Sequence, residues 1–189
     1  RECLLRGAER FRWAEKRRED EAFNASSHRY KRGTAVACGG HTNTYYTRFK
    51  DFAGVEARMC DDGTVQANVS IHDHGCGTVQ AFKMILAEVL EMPPELIRMG
   101  EADPAHTPYD YGCFSSRSTF VVGRAVQSCG ENLRREILKS AALMLEAEES
   151  ELYLEDARVR RRGHPEVALS YQEVSQWTML NLRQELFAH

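Results

Sequence analysis

Two glycines flank a cysteine in the segment from Ile71 to Thr78, Ile-His-Asp-His-Gly-Cys-Gly-Thr, where a predicted strand is followed by a predicted long helix. The first turn of a helix leaves backbone N–H groups without partners, and the helix dipole adds partial positive charge there. Glycine lets a ligand approach the backbone closely. The spacing therefore predicts an anion cradle, usually for phosphate, built from Gly75, Cys76, Gly77 and Thr78. The same residues also allow a tight turn with Thr78 as the N-cap.

The segment from Tyr111 to Thr119 precedes a second predicted long helix and gathers four hydroxyls around one guanidinium group. These groups belong to Ser115, Ser116, Arg117, Ser118 and Thr119. Hydroxyls and a guanidinium fork at a helix start suit a phosphate or a pyrophosphate. The alternative is an ordinary serine-capped helix with Arg117 in solvent. Two helix starts of this kind suggest one shared phosphorylated ligand, which requires both loops to lie on the same side of the molecule.

A zinc site competes with the anion cradle in the first segment. His72, His74 and Cys76 alternate, so on an extended strand their side chains would project from one face. Three such ligands could hold zinc with a distant fourth, such as His41 or His106. The glycines on both sides of Cys76 end the strand and disfavour this reading.

The helices and strands predicted around these loops indicate an α+β fold. We expect a mixed or antiparallel sheet of β-hairpins with helices packed on one face. The sequence predicts an N-terminal helix and a polar linker, which begins at Glu15, in residues 1–32. Residues 33–189 are predicted to form one lobe. Within the lobe, the periodicity predicts a strand at 34–38, a loop at 41–52, hairpins at 54–71 and 152–160, helices at 78–92 and 118–146, a short strand at 96–99, an irregular loop at 101–113, and a last helix capped by Ser170.

Composition excludes several classes of protein. The 189 residues are 42% hydrophobic and 28% charged, with a net charge of −3 and a pI near 6.2, so nucleic acid and anionic membranes are not expected partners. No apolar run approaches the roughly 18 residues of a membrane span. The 6 cysteines lack a CxxC pair and read as reduced thiols of a cytoplasmic protein. No Walker loop, Gly-X-Ser-X-Gly or HExxH motif is present.

The order of the motifs resembles the second molybdopterin-binding region of the xanthine dehydrogenase and aldehyde oxidase family. The resemblance covers nearly the whole chain and depends on the order and spacing of the matching segments rather than on any one motif. These segments are residues 2–13, 31–36, 62–69, 73–77, 89–97, 103–119 and 123–126.

The resemblance implies that the chain binds molybdenum-molybdopterin, in some members as the cytosine dinucleotide. The family usually has Gly-Gln-Gly where this chain has Gly75-Cys76-Gly77, and that loop contacts the pterin and its phosphate. The second family contact falls on Ser115, Ser116, Arg117 and Thr119. A thiol is a weaker donor than the glutamine amide, and losing that contact could cost on the order of 1.5–3 kcal/mol.

The resemblance also implies parts that this sequence lacks. The family's catalytic glutamate lies in a Gly-Glu-Pro-type segment, absent here, as are the cysteine motifs for iron–sulfur clusters. Those clusters, the FAD and the rest of the molybdopterin subunit would lie on other domains or subunits. Both chain ends lack start and stop signals, so we expect the chain to be a piece of a longer polypeptide. We expect this piece to fold, to bind the cofactor weakly or not at all, and to have no catalytic activity by itself. Neither Cys76 nor another residue is expected to ligate the metal.

Overall fold

The computed structural model describes residues 1–27, 29–40 and 50–189, which fall into two units, Arg1–His41 and Thr42–His189. The first unit contains helix α1, Glu2–Phe11, and helix α2, Trp13–Ser26. Arg12 separates the two helices, with a left-handed φ of 60°. The predicted division of the chain at residue 32 stays a prediction.

The N-terminal unit corrects two details of the prediction. The polar segment after Glu15 is mostly helical, because Glu, Lys, Arg and Ala are strong helix formers. Arg12 pairs with Glu15, and the Lys16 ammonium lies 2.8 Å from Glu19. Residues 34–38 form no strand, and no neighbouring strand in the described part of this unit could pair with them. The predicted loop at 41–52 lies largely outside the described residues.

The second unit is built on a four-stranded sheet in the order β3-β2-β1-β7. Its strands are β1, Val55–Met59; β2, Val65–Val69; β3, Ile97–Met99; and β7, Phe187–Ala188. The predicted hairpin is confirmed: β1 and β2 pair antiparallel, and Gly63 takes a φ of 80° in the turn. β3 lies parallel to β2, which requires a crossover between them.

Helices α3, Thr78–Val89, and α4, Gly123–Leu145, pack against one another beside this sheet. The buried positions of α4 include Val126, Cys129, Leu133 and Ile137, a helical spacing that gives the helix one apolar face. A π-helical turn, Ser118–Val122, leads into α4. The two predicted long helices are thus confirmed, although the second begins in π rather than α geometry.

A second, three-stranded sheet follows, with β4 at Leu152–Glu155, β5 at Arg158–Arg161 and β6 at His164–Ser170. Helix α5, Tyr171–Trp177, begins at the predicted capping box, in which the Ser170 hydroxyl accepts a hydrogen bond from the Glu173 backbone N–H at 3.2 Å. The α+β prediction is confirmed, with β6 and β7 as strands that the sequence did not predict. No helix in the described ranges is long and apolar enough to cross a membrane.

Candidate functional site

Asp73 organises the loop that precedes α3. Its Oδ1 accepts hydrogen bonds from the backbone N–H groups of Gly75, at 2.6 Å, and Gly77, at 3.1 Å. These bonds, the one from Gly75 foremost, hold the pKa of the Asp73 carboxyl below its ordinary value. The backbone donors predicted to hold a phosphate therefore already have an anionic partner in the chain itself. The Asp-X-Gly pattern of an Asx-turn was the sequence signal for this role.

The remaining side chains of this loop are exposed or point toward the helix. Gly77 is the N-cap of α3, so the alternative that made Thr78 the N-cap is wrong. Thr78 is buried, and its Oγ1 lies 2.9 Å from the Cys76 Sγ. Gly75 and Gly77 have φ values of 95° and 76°, and a Cβ on either would meet nothing within 4 Å. The backbone here is open to a ligand.

The predicted three-ligand zinc set is not assembled. His72 and His74 lie with their Nε2 atoms 3.1 Å apart, but the described residues contain no group of three or more side chains able to hold a metal ion. The candidate fourth ligand His41 lies outside those residues. The 6 cysteines are all free; burial raises the pKa of the Cys129 thiol to about 11, which makes that cysteine a core residue rather than a nucleophile.

Arg117 is only 1% exposed, so the alternative that placed it in solvent is wrong. Its Nε donates to Asp51 Oδ2 at 2.9 Å, and its Nη1 donates to Asp110 Oδ1 at 2.6 Å and to the Gly112 carbonyl at 2.8 Å. Nη2 donates to both carboxylates and to the Phe52 carbonyl at 3.0 Å. Burial by itself lowers the Arg117 pKa, but the two carboxylates raise it above its ordinary value. The guanidinium fork is occupied by protein groups.

The turn from Phe114 to Arg117 is held in a strained backbone conformation. Ser115 and Ser116 have φ values of 48° and 56°, and the Arg117 N–H donates to the Phe114 carbonyl at 3.0 Å, as in a type I′ turn. The Ser115 Oγ is buried without a hydrogen-bond partner. Ser116 and Thr119 are exposed. Ser116 in the turn and Thr119 just after it are thus accessible from solvent, whereas the Ser115 hydroxyl and Arg117 are buried.

Helices α3 and α4 run in the same direction, so their starts lie at the same end of the molecule. A Cβ on Gly123 would lie 3.2 Å from the Ile85 side chain, and one on Gly130 would lie 3.1 Å from Val89. Thr78 precedes the first of these contacts by about two turns of α3, and the π-helical turn before α4 also contacts α3. The axes of packed helices are roughly 8–10 Å apart. The two predicted cradles are therefore neighbours.

A cavity of about 400 Å³ is lined by residues that precede the two loops, and none of residues 75–78 or 115–119 lines it. Its lining includes Ser70 and His72, which lie between the end of β2 and Asp73, and Tyr109 and Asp110, which lie before the turn from Phe114 to Arg117. Two of its lining residues are hydrogen-bonded to each other, with the Ser70 hydroxyl donating to the Thr107 hydroxyl at 3.0 Å. Asp51 and Asp110, the partners of Arg117, were absent from the predicted site because no local pattern connects them to it.

Comparison with known proteins gives one family. A family model described as "Molybdopterin cofactor-binding domain" matches residues 6–188. The putative xanthine dehydrogenase molybdenum-binding subunit XdhA of Escherichia coli K12 is 30% identical over 145 residues, 76% of this chain and 19% of that protein. The carbon monoxide dehydrogenase large chain of Hydrogenophaga pseudoflava is 32% identical over 112 residues, 59% of this chain and 14% of that protein.

Among solved structures, reconstituted CO dehydrogenase from Oligotropha carboxidovorans superposes with a TM-score of 0.66 at 29% identity, over 73% of this chain and 18% of that chain. The chain thus spans about a fifth or less of the length of these three relatives.

Proposed function

Because the chain belongs to the molybdopterin cofactor-binding domain family, we propose that it holds the pterin cofactor of a molybdenum hydroxylase between the loop before α3 and the turn before α4. The observation that carries the proposal is the placement of both loops at the same end of two parallel helices. The predicted cofactor residues lie in these two loops.

The residues present fit a polar, phosphate-bearing ligand. The Ser115 hydroxyl is buried without a partner, and a buried hydroxyl that gains a hydrogen bond on ligand binding recovers a cost of roughly 1–3 kcal/mol. Gly75, Gly77 and Gly112 all have positive φ, and a Cβ on any of them would meet nothing within 4 Å. A flat ligand can therefore contact the backbone at these positions.

When bound, the molybdenum–pterin group supplies the metal redox chemistry that transfers water-derived oxygen to the substrate. The chain's own residues bind and orient that group. Ser115, Ser116 and Thr119 offer hydroxyl donors and acceptors, while Arg117 holds their turn in place through its two carboxylates. Arg117 is thus a positioning residue in this proposal and does not itself contact the ligand.

The first loop contributes differently, because Asp73 competes for its donors. A phosphate that binds the N–H groups of Gly75 and Gly77 must displace the Asp73 carboxylate, which accepts both. Cys76, exposed beside them, offers only a weak thiol donor. We therefore assign the stronger ligand contacts to residues 115–119, called the serine turn below, and the weaker ones to residues 75–78.

The whole enzyme proposed here oxidises a purine or a related heterocycle and passes electrons to iron–sulfur clusters and FAD on other domains or subunits. The similarity to a protein named as a xanthine dehydrogenase subunit supports this substrate class. The cytosine dinucleotide form of the cofactor and a cytoplasmic location stay predictions. Alone, the chain is predicted to be inactive, and purine oxidation by the isolated chain would contradict that.

A non-catalytic binding or scaffold module is the second candidate. Two observations favour it: Cys76 stands where the family usually has glutamine, and Asp73 already occupies the neighbouring backbone donors. In that case the fold is kept and the pterin is not bound.

Titration of the purified chain with molybdenum cofactor released anaerobically from a molybdoenzyme separates the two. We expect weak, saturable quenching of pterin fluorescence. The Cys76→Gln substitution should tighten binding by about ten-fold, because it adds amide donors worth more than one thiol contact. Ser116→Ala should weaken binding several-fold, and Ser128→Ala, an exposed serine on α4, is the matched control.

A gain of affinity in Cys76→Gln cannot result from misfolding, so it is the decisive outcome in favour of cofactor binding. If neither the original chain nor Cys76→Gln binds the cofactor saturably, the cofactor-binding proposal is wrong and the scaffold function is favoured. Equal losses in Ser116→Ala and Ser128→Ala would remove the serine turn from the binding site.

A further inference from the structure

His72 and His74 form a close pair of imidazole groups that the proposed pterin site does not use. Their Nε2 atoms are 3.1 Å apart, and their ring centroids are 4.7 Å apart at an angle of 69°. Both side chains are exposed. Asp73 between them turns its carboxylate to the backbone of Gly75 and Gly77, which fixes the loop that carries the two rings.

The spacing of the two nitrogens suits a single metal ion. Transition metals bind imidazole nitrogen at about 2.0–2.1 Å, so two nitrogens 3.1 Å apart subtend roughly 100° at the metal. That angle lies between the octahedral and the tetrahedral values. Neutral imidazole is a good ligand for nickel, copper and zinc.

We propose that the Nε2 atoms of His72 and His74 chelate one divalent transition-metal ion of the nickel, copper and zinc group, with water completing its coordination. This is an open, two-ligand site, not the closed zinc site that the sequence left as an alternative. It is independent of the pterin proposal and of the molybdenum.

The proton balance is simple. Two neutral imidazoles with Nε2 atoms 3.1 Å apart can share one Nε2–H, and in that pair one ring carries its proton on Nε2 and the other on Nδ1. Metal binding removes that shared hydrogen bond, and the donor ring moves its proton to Nδ1. Both Nε2 lone pairs then point at the ion, and no net proton is released by this exchange.

Cys76 is the nearest thiol in the loop, but it is not a third ligand. Its Sγ contacts the Thr78 hydroxyl at 2.9 Å, at the start of α3. The described residues supply no set of three metal ligands at this or any other place. The affinity therefore depends on two imidazoles, and loss of either should have a large effect.

Calorimetric titration of the untagged, reduced chain with Ni²⁺ tests the proposal. We expect one ion per chain, with an affinity at least ten-fold lower in His72→Gln and in His74→Gln. His106→Gln, a change of another exposed histidine, should leave the affinity unchanged, and so should Cys76→Ser. Thermal unfolding of each metal-free variant verifies that it is folded.

Electron paramagnetic resonance of the Cu²⁺ complex gives a second readout, which should show hyperfine coupling to two equivalent nitrogens. No binding at one ion per chain, one coupled nitrogen, or equal losses in His106→Gln and His72→Gln would each overturn the site. A loss in Cys76→Ser would overturn the two-histidine geometry. None of these results bears on cofactor binding by the serine turn, so the two proposals fail separately.

Discussion

The loop before α3 and the turn before α4 both start a helix with small residues, but different kinds of contact hold them. In the loop, Asp73 accepts hydrogen bonds from Gly75 and Gly77, two and four residues along the chain. In the turn, Arg117 reaches Asp51, 66 residues away. The first structure is local and exposed, whereas the second is buried and depends on the tertiary fold.

Because of this difference, the loop before α3 can change its conformation more easily than the turn before α4. A local Asx-turn on the surface can open without disturbing the core, so the loop before α3 can exchange Asp73 for another anion. The Arg117 cluster cannot open cheaply, because separating a buried ion pair leaves uncompensated charge. The turn before α4 is therefore the part of the site that can hold hydroxyls at fixed positions.

The largest effect is expected from Arg117→Met. Removal of the guanidinium takes its ion pairs from the Asp51 and Asp110 carboxylates, whose side chains are 14% and 3% exposed. Breaking one side of a buried ion pair in this way should lower the free energy of unfolding by about 3–5 kcal/mol. Chemical denaturation measures this loss. Arg124→Met, an exposed arginine on α4, should change stability by less than about 0.5 kcal/mol. A similar loss in both variants would contradict the tethered turn.

The two carboxylates should differ in their contributions. Asp110→Asn should cost about 1.5–3 kcal/mol, because a nearly fully buried charge-assisted hydrogen bond is weakened. Asp51→Asn should cost less, since the Asp51 side chain is more exposed. Denaturant midpoints of the two variants give the ranking, and the reverse order would show that Asp51 is the main anchor.

Ser115→Gly should stabilise the ligand-free chain by about 1–2 kcal/mol. Glycine accepts the left-handed φ of 48° without strain, and the substitution removes a buried hydroxyl that has no partner. Ser116→Gly relieves only the backbone strain, so its gain should be smaller. Thermal unfolding measures both, and a destabilised Ser115→Gly would mean that its hydroxyl is satisfied in solution.

The smallest effect is expected from Asp73→Asn, and it should depend on pH. Because the pKa of Asp73 in the folded chain lies below its ordinary value, its charge contributes stability above the ordinary aspartate pKa of about 4. That stability is lost as the pH falls through the lower, folded-state value. The variant should therefore melt below the original chain at pH 7, and the difference should shrink as the pH is lowered below the ordinary aspartate pKa of about 4. A pH-independent difference would exclude the charge as the cause.

Elements with strong local signals were predicted well. The Asp61-Asp62-Gly63 turn joins β1 to β2, and the Ser170 capping box starts α5. Both rest on hydrogen bonds between residues at most a few positions apart. Prediction from the sequence failed for α2, because its many charged residues were interpreted as a linker. It also failed for strands that form only because a partner strand distant in the sequence pairs with them. Two-residue β7, paired with β1, is the clearest case.

The residues of the candidate site also differ in whether local sequence patterns could indicate them. Residues 75–78 and 115–119 were predicted as cofactor contacts from the sequence, because glycine, hydroxyl and helix-start patterns are local, and that role stays a prediction. The sequence did not reveal that the Arg117 guanidinium is hydrogen-bonded to Asp51 and Asp110, because no local pattern shows that these carboxylates face it.

By itself the sequence determined where helices and hairpins begin, because turns and caps are made by neighbours along the chain. Only the tertiary structure decided that α3 and α4 run parallel with their starts at the same end, and that the Arg117 guanidinium is hydrogen-bonded to two carboxylates. Those outcomes depend on packing and burial, which bring together groups that are far apart in the chain and remove them from water.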